Sequence, residues 1–477
     1  MVLGFVIAYL VISIAIGLYA ATKVHNARDY ITAGRHLPMP FILAMVFATW
    51  FGAETVLGIS ATFLEEGFRG LISDPLGASL CLVLFGLVFA RPLYRMNLIT
   101  LGDFFRIRYN RQTELILSIC IIVSYLGWVS AQITALGLVF NVLSDHLISV
   151  NQGMLIGAGV VLTYTLFGGM WSVALTTFVQ MIVIIIGLLI VASNAAEQAG
   201  GVVAVVAKAS AEGKFAFLPT LDLVDLLGWF AALFTMMLGS IPQQDVFQRV
   251  NSAKNERVAV WGTALGGMAY FFFAAVPLFL AYSASMIDPA MVEKLMAVDS
   301  QLILPTLITN HMPIMLQVVF FGALLSVIMS TASGTLLAPS VTFTENVLKG
   351  FAPHMTDRQF LWATRLTVLV FTVIVTYYAI ATDASIHHMV ENAYRVTLAG
   401  AFVPLTAGLF WKRASNLGAG LAISFGLITW IILEMTDVQE PIEPQLFGLF
   451  ASLLGMLIGS FISPNRGHGH GGHPQHL

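Results

Sequence analysis

The sequence predicts an all-α polytopic membrane protein, and three observations carry that prediction. Hydrophobic residues make up 58% of the 477 and charged residues only 10%, where a soluble domain is about a quarter charged. Apolar runs near the roughly 20 residues that cross a bilayer recur thirteen times: 3–22, 38–62, 74–96, 114–143, 151–167, 171–193, 222–248, 257–285, 312–347, 359–381, 386–411, 416–435 and 446–463. Lys and Arg then segregate to one side of those runs, as expected when cationic loops are retained in the cytoplasm. With the N-terminus outside, seventeen lie in cytoplasmic loops and the tail, against Arg69, Lys208, Lys214 and Lys294 on the other side. One span missed or invented near the middle would collapse that bias. It therefore checks the count and sets the expectation: a multi-pass protein of the inner (plasma) membrane with its N-terminus outside and its C-terminus cytoplasmic.

Along the chain, the run at 3–22 lacks a basic n-region and a small-residue cleavage site, so it reads as a retained helix rather than a signal peptide. The second run contains TWFGAETVLG at 49–58, where two glycines, a threonine and Glu54 interrupt lipid-compatible sequence. In hydrocarbon every backbone N–H and C=O needs a partner, so unwound backbone survives only where protein or a water-lined cavity satisfies it. Breaks are therefore informative. Cys81 and Cys120 fall inside apolar runs and read as small apolar side chains. LGDFFRIRYNR at 102–112 reads as an amphipathic cytoplasmic connector, with Phe104 and Phe105 in the interface and the arginines toward lipid phosphates.

A second break follows in the seventh run, LGSIPQQDVFQR at 238–249, where Pro242 removes a helix hydrogen bond and Gln243, Gln244 and Asp245 follow it. Gln132 lies 79 residues after Ala53, and the Ser330-Thr331 pair begins 89 residues after Ile241. Two halves of five helices, each opening on a broken helix, produce such spacing, and paired breaks point to a transporter binding site. Beyond the acidic outer segment 437–445, the tail 464–477 is rich in His and Gly and reads as a cytoplasmic end able to hold a metal ion only weakly.

Freed carbonyl oxygens and neutral hydroxyls suit a hard monovalent cation that must also leave, by the oxygen-ligand logic of Ca²⁺ and Mg²⁺. Ser330 and Thr331 supply two such hydroxyls; the ordinary alternative is that they bond back onto their own helix. Glu54 near mid-membrane costs several kcal/mol unless paired or hydrated. It has three readings: contact with a cationic substrate, proton coupling, or a permanent pair with Arg395. Arg395 in turn stands one helical turn after Glu391, spaced for a mutual pair, or turns inward to hold a substrate carboxylate.

Four stretches, YTLFGGMWSVALTTFVQ (164–180), QDVFQR (244–249), MSTASG (329–334) with TENV (344–347), and FVPLTAGLFWKRA (402–414), together resemble the sodium:solute symporter family over residues 3 to 463. The resemblance implies a LeuT-like fold: two inverted five-helix repeats, 38–193 and 222–411, with an extra N-terminal helix at 3–22 and two C-terminal helices within 416–463, in one transporter domain, 1–463. It also implies Na⁺ as coupling ion, held by the carbonyls of Ala53, Val56 and Val327 and the hydroxyls of Ser330 and Thr331. Thr177 stands where members commonly carry Asp, and Gly334 where some carry a hydroxyl, which implies a single coupling ion. TWFGAETVLG, the Gly-Gly segment and LGSIPQQDVFQRV look especially like the choline-transporting branch, whose quaternary substrate calls for aromatic faces. Trp50, Tyr125, Trp128 and Trp229 are candidates, although interface and core packing also explain membrane aromatics.

The substrate-facing candidates are Trp50, Glu54, Trp128, Gln132, Gln243, Gln244 and Arg395. The predicted function is sodium-coupled symport of a small organic solute by alternating access, with a lean toward an amine, a choline-like cation or an amino acid. One chain is the expected functional unit, with lipid, Na⁺ and solute as partners and no nucleic acid. The alternatives are a proton-coupled transporter using Glu54, and a membrane sensor working through a separate partner protein, because nothing after residue 463 could be a kinase. His387, His388 and Glu391 have the H-x-x-x-E separation of a metal-binding helix but no third ligand cluster, and no nucleophile elbow or phosphate loop occurs. An enzyme is not expected.

Overall fold

The computed structural model describes residues 1–436 and 442–464. Residues 437–441 of the predicted outer segment 437–445, and the His-rich tail beyond 464, lie outside the described residues. Secondary structure among the described residues is helical, apart from one bridge between Leu37 and Ala253.

Among the described residues, nine helices are each long and apolar enough to cross a bilayer, and Ile386–Gly400 with Phe402–Phe410, bent by 48°, makes a tenth. Twelve of the thirteen predicted runs fall wholly or partly in these ten, because adjacent runs join, whereas the seventh, 222–248, forms the shorter helices Leu223–Met237 and Gln244–Ser252. Glu54–Arg95 contains the second half of the second run and all but the last residue of the third, and Val150–Gln198 contains the fifth and sixth. Within the latter, Gly169 leaves the helical region (φ 50°, ψ −134°), a conformation glycine adopts without steric cost. Tyr164 and Ser172, on either side of it, both close on Gly17 of the first span. The chain turns sharply there. Met39–Trp50 and Leu223–Met237 are short because each is the first half of a broken span.

Caps set where several helices begin. Asn110 accepts the Thr113 amide at 2.8 Å, and Ser149 with Gln152, like Thr356 with Gln359, forms a capping box, each satisfying amides that the first turn leaves free. Apolar side chains such as Phe5, Ile119, Ile186 and Val373 remain exposed, as expected of faces turned to lipid. Polar side chains are turned inward: Glu54, Asp74, Gln132, Asp245, Arg249, Ser330 and Thr331 are all buried.

The inner ends of the two broken spans are tied together. The Leu37 amide donates to Ser252 O at 3.1 Å and the Lys254 amide to Leu37 O at 2.9 Å. The connector helix Leu101–Arg108 departs from its predicted interfacial role. Phe104 and Phe105 are buried in the core, Arg106 pairs with Asp103 and Glu114, and Arg108 donates to the carbonyls of Gly408 and Trp411. Its hydrophobic face covers protein because Asn346, bonded to Asp103, Glu114 and Thr100, anchors it beneath the bundle.

Candidate functional site

Met39–Trp50 stops where Phe51 turns out of the helix (φ −81°, ψ 78°). The Gly52 amide then folds back to Trp50 O at 3.1 Å, so the Ala48 carbonyl loses the i+4 donor a continuous helix would give it. The ninth span, Ile314–Thr342, answers that vacancy. Ser330 Oγ donates to Ala48 O at 2.6 Å and Val327 O at 2.9 Å. Thr331 Oγ1 lies 3.4 Å from Ala48 O and 3.2 Å from Val327 O. Two hydroxyls, each with one hydrogen, thus face the same two carbonyls, and four buried neutral oxygens converge.

Across the gap, the outer half-helix begins with free amides. The Ala53 amide donates to Gln132 Oε1 at 3.0 Å, and Gln132 Nε2 donates to Glu54 Oε2 at 2.7 Å. Trp128 Nε1 reaches Glu54 Oε1 at 3.1 Å. A Cβ at residue 52 would stand 2.3 Å from Glu54 Oε2, so a larger residue there would displace the carboxylate from this position. Glu54 therefore has two neutral donors and no cationic partner among the described residues. Charge-assisted hydrogen bonds contribute about 1.5–3 kcal/mol each, which offsets only part of the cost of burying an ion.

Aromatic rings surround this carboxylate. Trp50 and Trp128 meet edge to face with centroids 5.4 Å apart, Tyr394 stacks on Trp50 at 6.2 Å and meets Trp128 at 5.7 Å, and Tyr125 stacks on Trp128 at 6.1 Å. Ring faces beside a buried negative charge are the chemistry that holds an organic cation.

At the second break, Leu223–Met237 gives way to Gln244–Ser252. Asp245 receives Trp50 Nε1 at 3.0 Å and Tyr125 OH at 2.5 Å. Arg249, wholly buried one turn later, donates to the Asp245 carbonyl at 2.7 Å and to Thr49 Oγ1 at 2.9 Å. A Cβ at Gly334 would lie 2.2 Å from Arg249 Nη2, so the missing hydroxyl at 334 makes room for a fixed positive charge. Thr177 is buried with its hydroxyl unpartnered. Gln243 bonds Ser124 at 3.1 Å, and Thr397 donates to the Gly239 carbonyl at 2.6 Å, tying this break to the fourth and eleventh spans.

Several placements differ from expectation. Ser330 and Thr331 reach the carbonyl of Ala48, not those of Ala53 and Val56. Ala53 and Val56 belong to the start of the outer half, where amides rather than carbonyls are orphaned, whereas Ala48 is among the last four carbonyls of the inner half. Arg395 reaches neither Glu54 nor Glu391. It pairs with Glu434 at 3.2 Å and Glu443 at 3.5 Å, while Glu391 faces His387 at 3.8 Å. Gln244 is not at the aromatic cluster: it donates to Ile99 O and accepts the Leu101 amide, bracing the inner connector. Trp229 donates to Phe217 O in the outer loop. Ala48, Tyr394 and Arg249 were not among the sequence candidates.

Residues 30–426 match the model of a family described as the sodium:solute symporter family. The high affinity choline transporter 1 of Homo sapiens is 28% identical over 474 residues, covering 93% of this chain and 78% of that protein. The high-affinity proline transporter PutP of Bacillus subtilis (strain 168) is 25% identical over 475 residues, covering 94% and 95%. In overall shape the chain is similar to a Na⁺-coupled sialic acid symporter solved in a substrate-bound outward-open state, with a TM-score of 0.83 and 18% identity over 97% of this chain and 98% of that one. The nucleobase-cation-symport-1 family transporter Mhp1, in a closed conformation, follows at a TM-score of 0.57 and 13% identity.

Proposed function

Because the chain belongs to the sodium:solute symporter family, we propose that the two broken spans carry one Na⁺ and one small organic cation together across the membrane. The protein is a secondary active transporter of a LeuT-like fold, and not an enzyme. Na⁺ is held by the carbonyls of Ala48 and Val327 and the hydroxyls of Ser330 and Thr331. The observation that carries this reading is the Ala48 carbonyl: stripped of its helix partner, it is met by two alcohols from a span more than 280 residues away. The oxygens are neutral, so the ion is bound without an opposing charge and leaves readily. Arg249 beside Gly334 adds a fixed positive charge, which favours a single alkali ion per cycle.

The solute sits between Glu54 and the rings of Trp50, Trp128 and Tyr394, with Gln132 orienting the carboxylate. Glu54 lacks a cation, and a positively charged solute supplies one; an amine or quaternary ammonium fits better than a zwitterion, because Arg395 is committed elsewhere. The curated relatives include choline transporters and proline transporters, and the cluster favours the former chemistry. A proton on Glu54 would also relieve its charge, so proton coupling is the second reading. The excess of Lys and Arg on one side supports a plasma-membrane orientation with the C-terminal end in the cytoplasm, and one chain is taken as the working unit.

The test is a thermal-stability screen of purified protein against choline, proline and simple carboxylates, each in Na⁺ and in K⁺. The reading expects stabilisation by choline that requires Na⁺. Stabilisation by proline alone would overturn the cationic solute, and stabilisation indifferent to Na⁺ would overturn the coupling.

A further inference from the structure

Trp50, Trp128, Tyr125 and Tyr394 each bring one polar atom to the aromatic cluster, and three of the four commit it to a carboxylate. Trp128 Nε1 donates to Glu54, and Trp50 Nε1 and Tyr125 OH donate to Asp245. Tyr394 does not. Its side chain is buried, and its hydroxyl meets no hydrogen-bond partner among the described residues. A buried donor without an acceptor forfeits the bonds it would make to water, and buried polar groups are rarely left so. Beside a candidate solute site, such a donor points to a ligand that supplies the acceptor.

The rest of the residue is fixed. Tyr394 stands at the joint between Ile386–Ala393 and Arg395–Gly400. Its amide donates to Glu391 O at 3.2 Å, and its carbonyl accepts the Leu398 amide at 3.0 Å and Thr397 Oγ1 at 3.2 Å. A Cβ at Gly239 would lie 2.7 Å from that carbonyl, so the second break packs directly against it. Trp50 and Trp128 hold the ring. The hydroxyl is thus a donor set in place beforehand, and binding to it loses little freedom. Three carboxylates, Asp245, Glu54 and Asp74, bear on it electrostatically. A charged oxygen brought among them is repelled, whereas an uncharged one is not.

We propose that Tyr394 determines specificity by donating its hydroxyl to an uncharged oxygen of the solute, so that the transported cation is an ammonium bearing a hydroxyl or ether oxygen. This rests on the cationic solute proposed above and narrows its class. The ammonium lies against Glu54 and the ring faces, and the oxygen takes the one donor that those rings leave free. A purely alkyl cation of the same size leaves the hydroxyl unbonded inside the complex. A zwitterion brings a charged oxygen, which the three carboxylates oppose.

The test compares two cations of equal charge and similar size, choline and propyltrimethylammonium, in which a methyl group replaces the hydroxyl. Binding of each to the purified full chain is measured in saturating Na⁺. The expected result is that choline binds about tenfold more tightly, the effect of one neutral hydrogen bond. In Tyr394→Phe, which keeps the ring, that ratio falls to about one. General damage to the site weakens both cations alike and leaves the ratio where it was, so the ratio reports the hydroxyl and not the packing. Trimethylglycine, whose oxygens are anionic, binds more weakly than either. Equal affinities of the two cations for the native chain, or a preference that survives Tyr394→Phe, would overturn the role of Tyr394 and leave the cationic solute standing. Tighter binding of trimethylglycine than of choline would overturn the uncharged oxygen. Binding of neither cation would overturn the cationic solute itself, and this inference with it.

Discussion

The two broken helices treat their carboxylates in opposite ways. At the second break Trp50 and Tyr125 donate to the Asp245 carboxylate, and Arg249, a buried positive charge one turn away, donates to the Asp245 carbonyl. At the first break, among the described residues, Glu54 receives only the side chains of Gln132 and Trp128, both neutral. Both groups are buried and both adjoin unwound backbone, so burial alone does not mark a functional charge. The partner inventory does. Asp245 is bonded within the protein and holds the helices together, whereas Glu54 has no cationic partner among the described residues.

The contrast can be broken most forcefully at Asp245. Asp245→Ala strands the Trp50 and Tyr125 donors and removes the carboxylate nearest the buried Arg249, whose bonds to the residue-245 carbonyl and Thr49 remain; removing one partner from a buried charged network costs about 3–5 kcal/mol. The expected outcome is a large drop in melting temperature of the purified protein; unchanged stability would mean that the second break is not the structural one. Glu54→Gln keeps shape and one acceptor while removing charge, so the fold survives. Binding of a quaternary cation should weaken by about 100-fold, corresponding to about 2.8 kcal/mol, with Na⁺ stabilisation retained. A variant that binds the cation normally would dissolve the distinction between the two carboxylates. The smallest effect is at the edge of the second break: Gly334→Ala forces a methyl against Arg249, an overpacking cost of about 1–3 kcal/mol, read as a modest loss of stability. A neutral Gly334→Ala would show that the guanidinium has room to move.

Much of this difference was invisible in sequence. The existence of both breaks was legible, because Gly52 and Glu54 in one run and Pro242 to Asp245 in the other interrupt otherwise apolar sequence. The spacing from Ala53 to Gln132, noted as a possible repeat, is a direct hydrogen bond. Which side of the gap offers its carbonyls was not legible. That depends on where the inner half ends, and Trp50, an ordinary helix residue, gives no warning that it is the last. The partners of Arg395 lie 39 and 48 residues further on, at Glu434 and Glu443, in helices whose packing no local spacing reveals. Glu391, one turn before it, was the only partner a helical repeat could offer. The amphipathic connector misled for a related reason: a hydrophobic face seeks apolar surroundings, and sequence does not say whether lipid or protein provides them.

The most direct test of the account is the response of melting temperature to Na⁺, with K⁺ as control, in the native chain and in the Ser330→Ala/Thr331→Ala variant. An ion bound only by the folded state stabilises it by about 2.7 kcal/mol at 100 times its dissociation constant. The account predicts a saturable, Na⁺-specific rise in the native chain that the double variant loses while remaining folded. A double variant stabilised by Na⁺ as fully as the native chain would contradict it, and would place the coupling ion away from the carbonyl that Ala48 exposes.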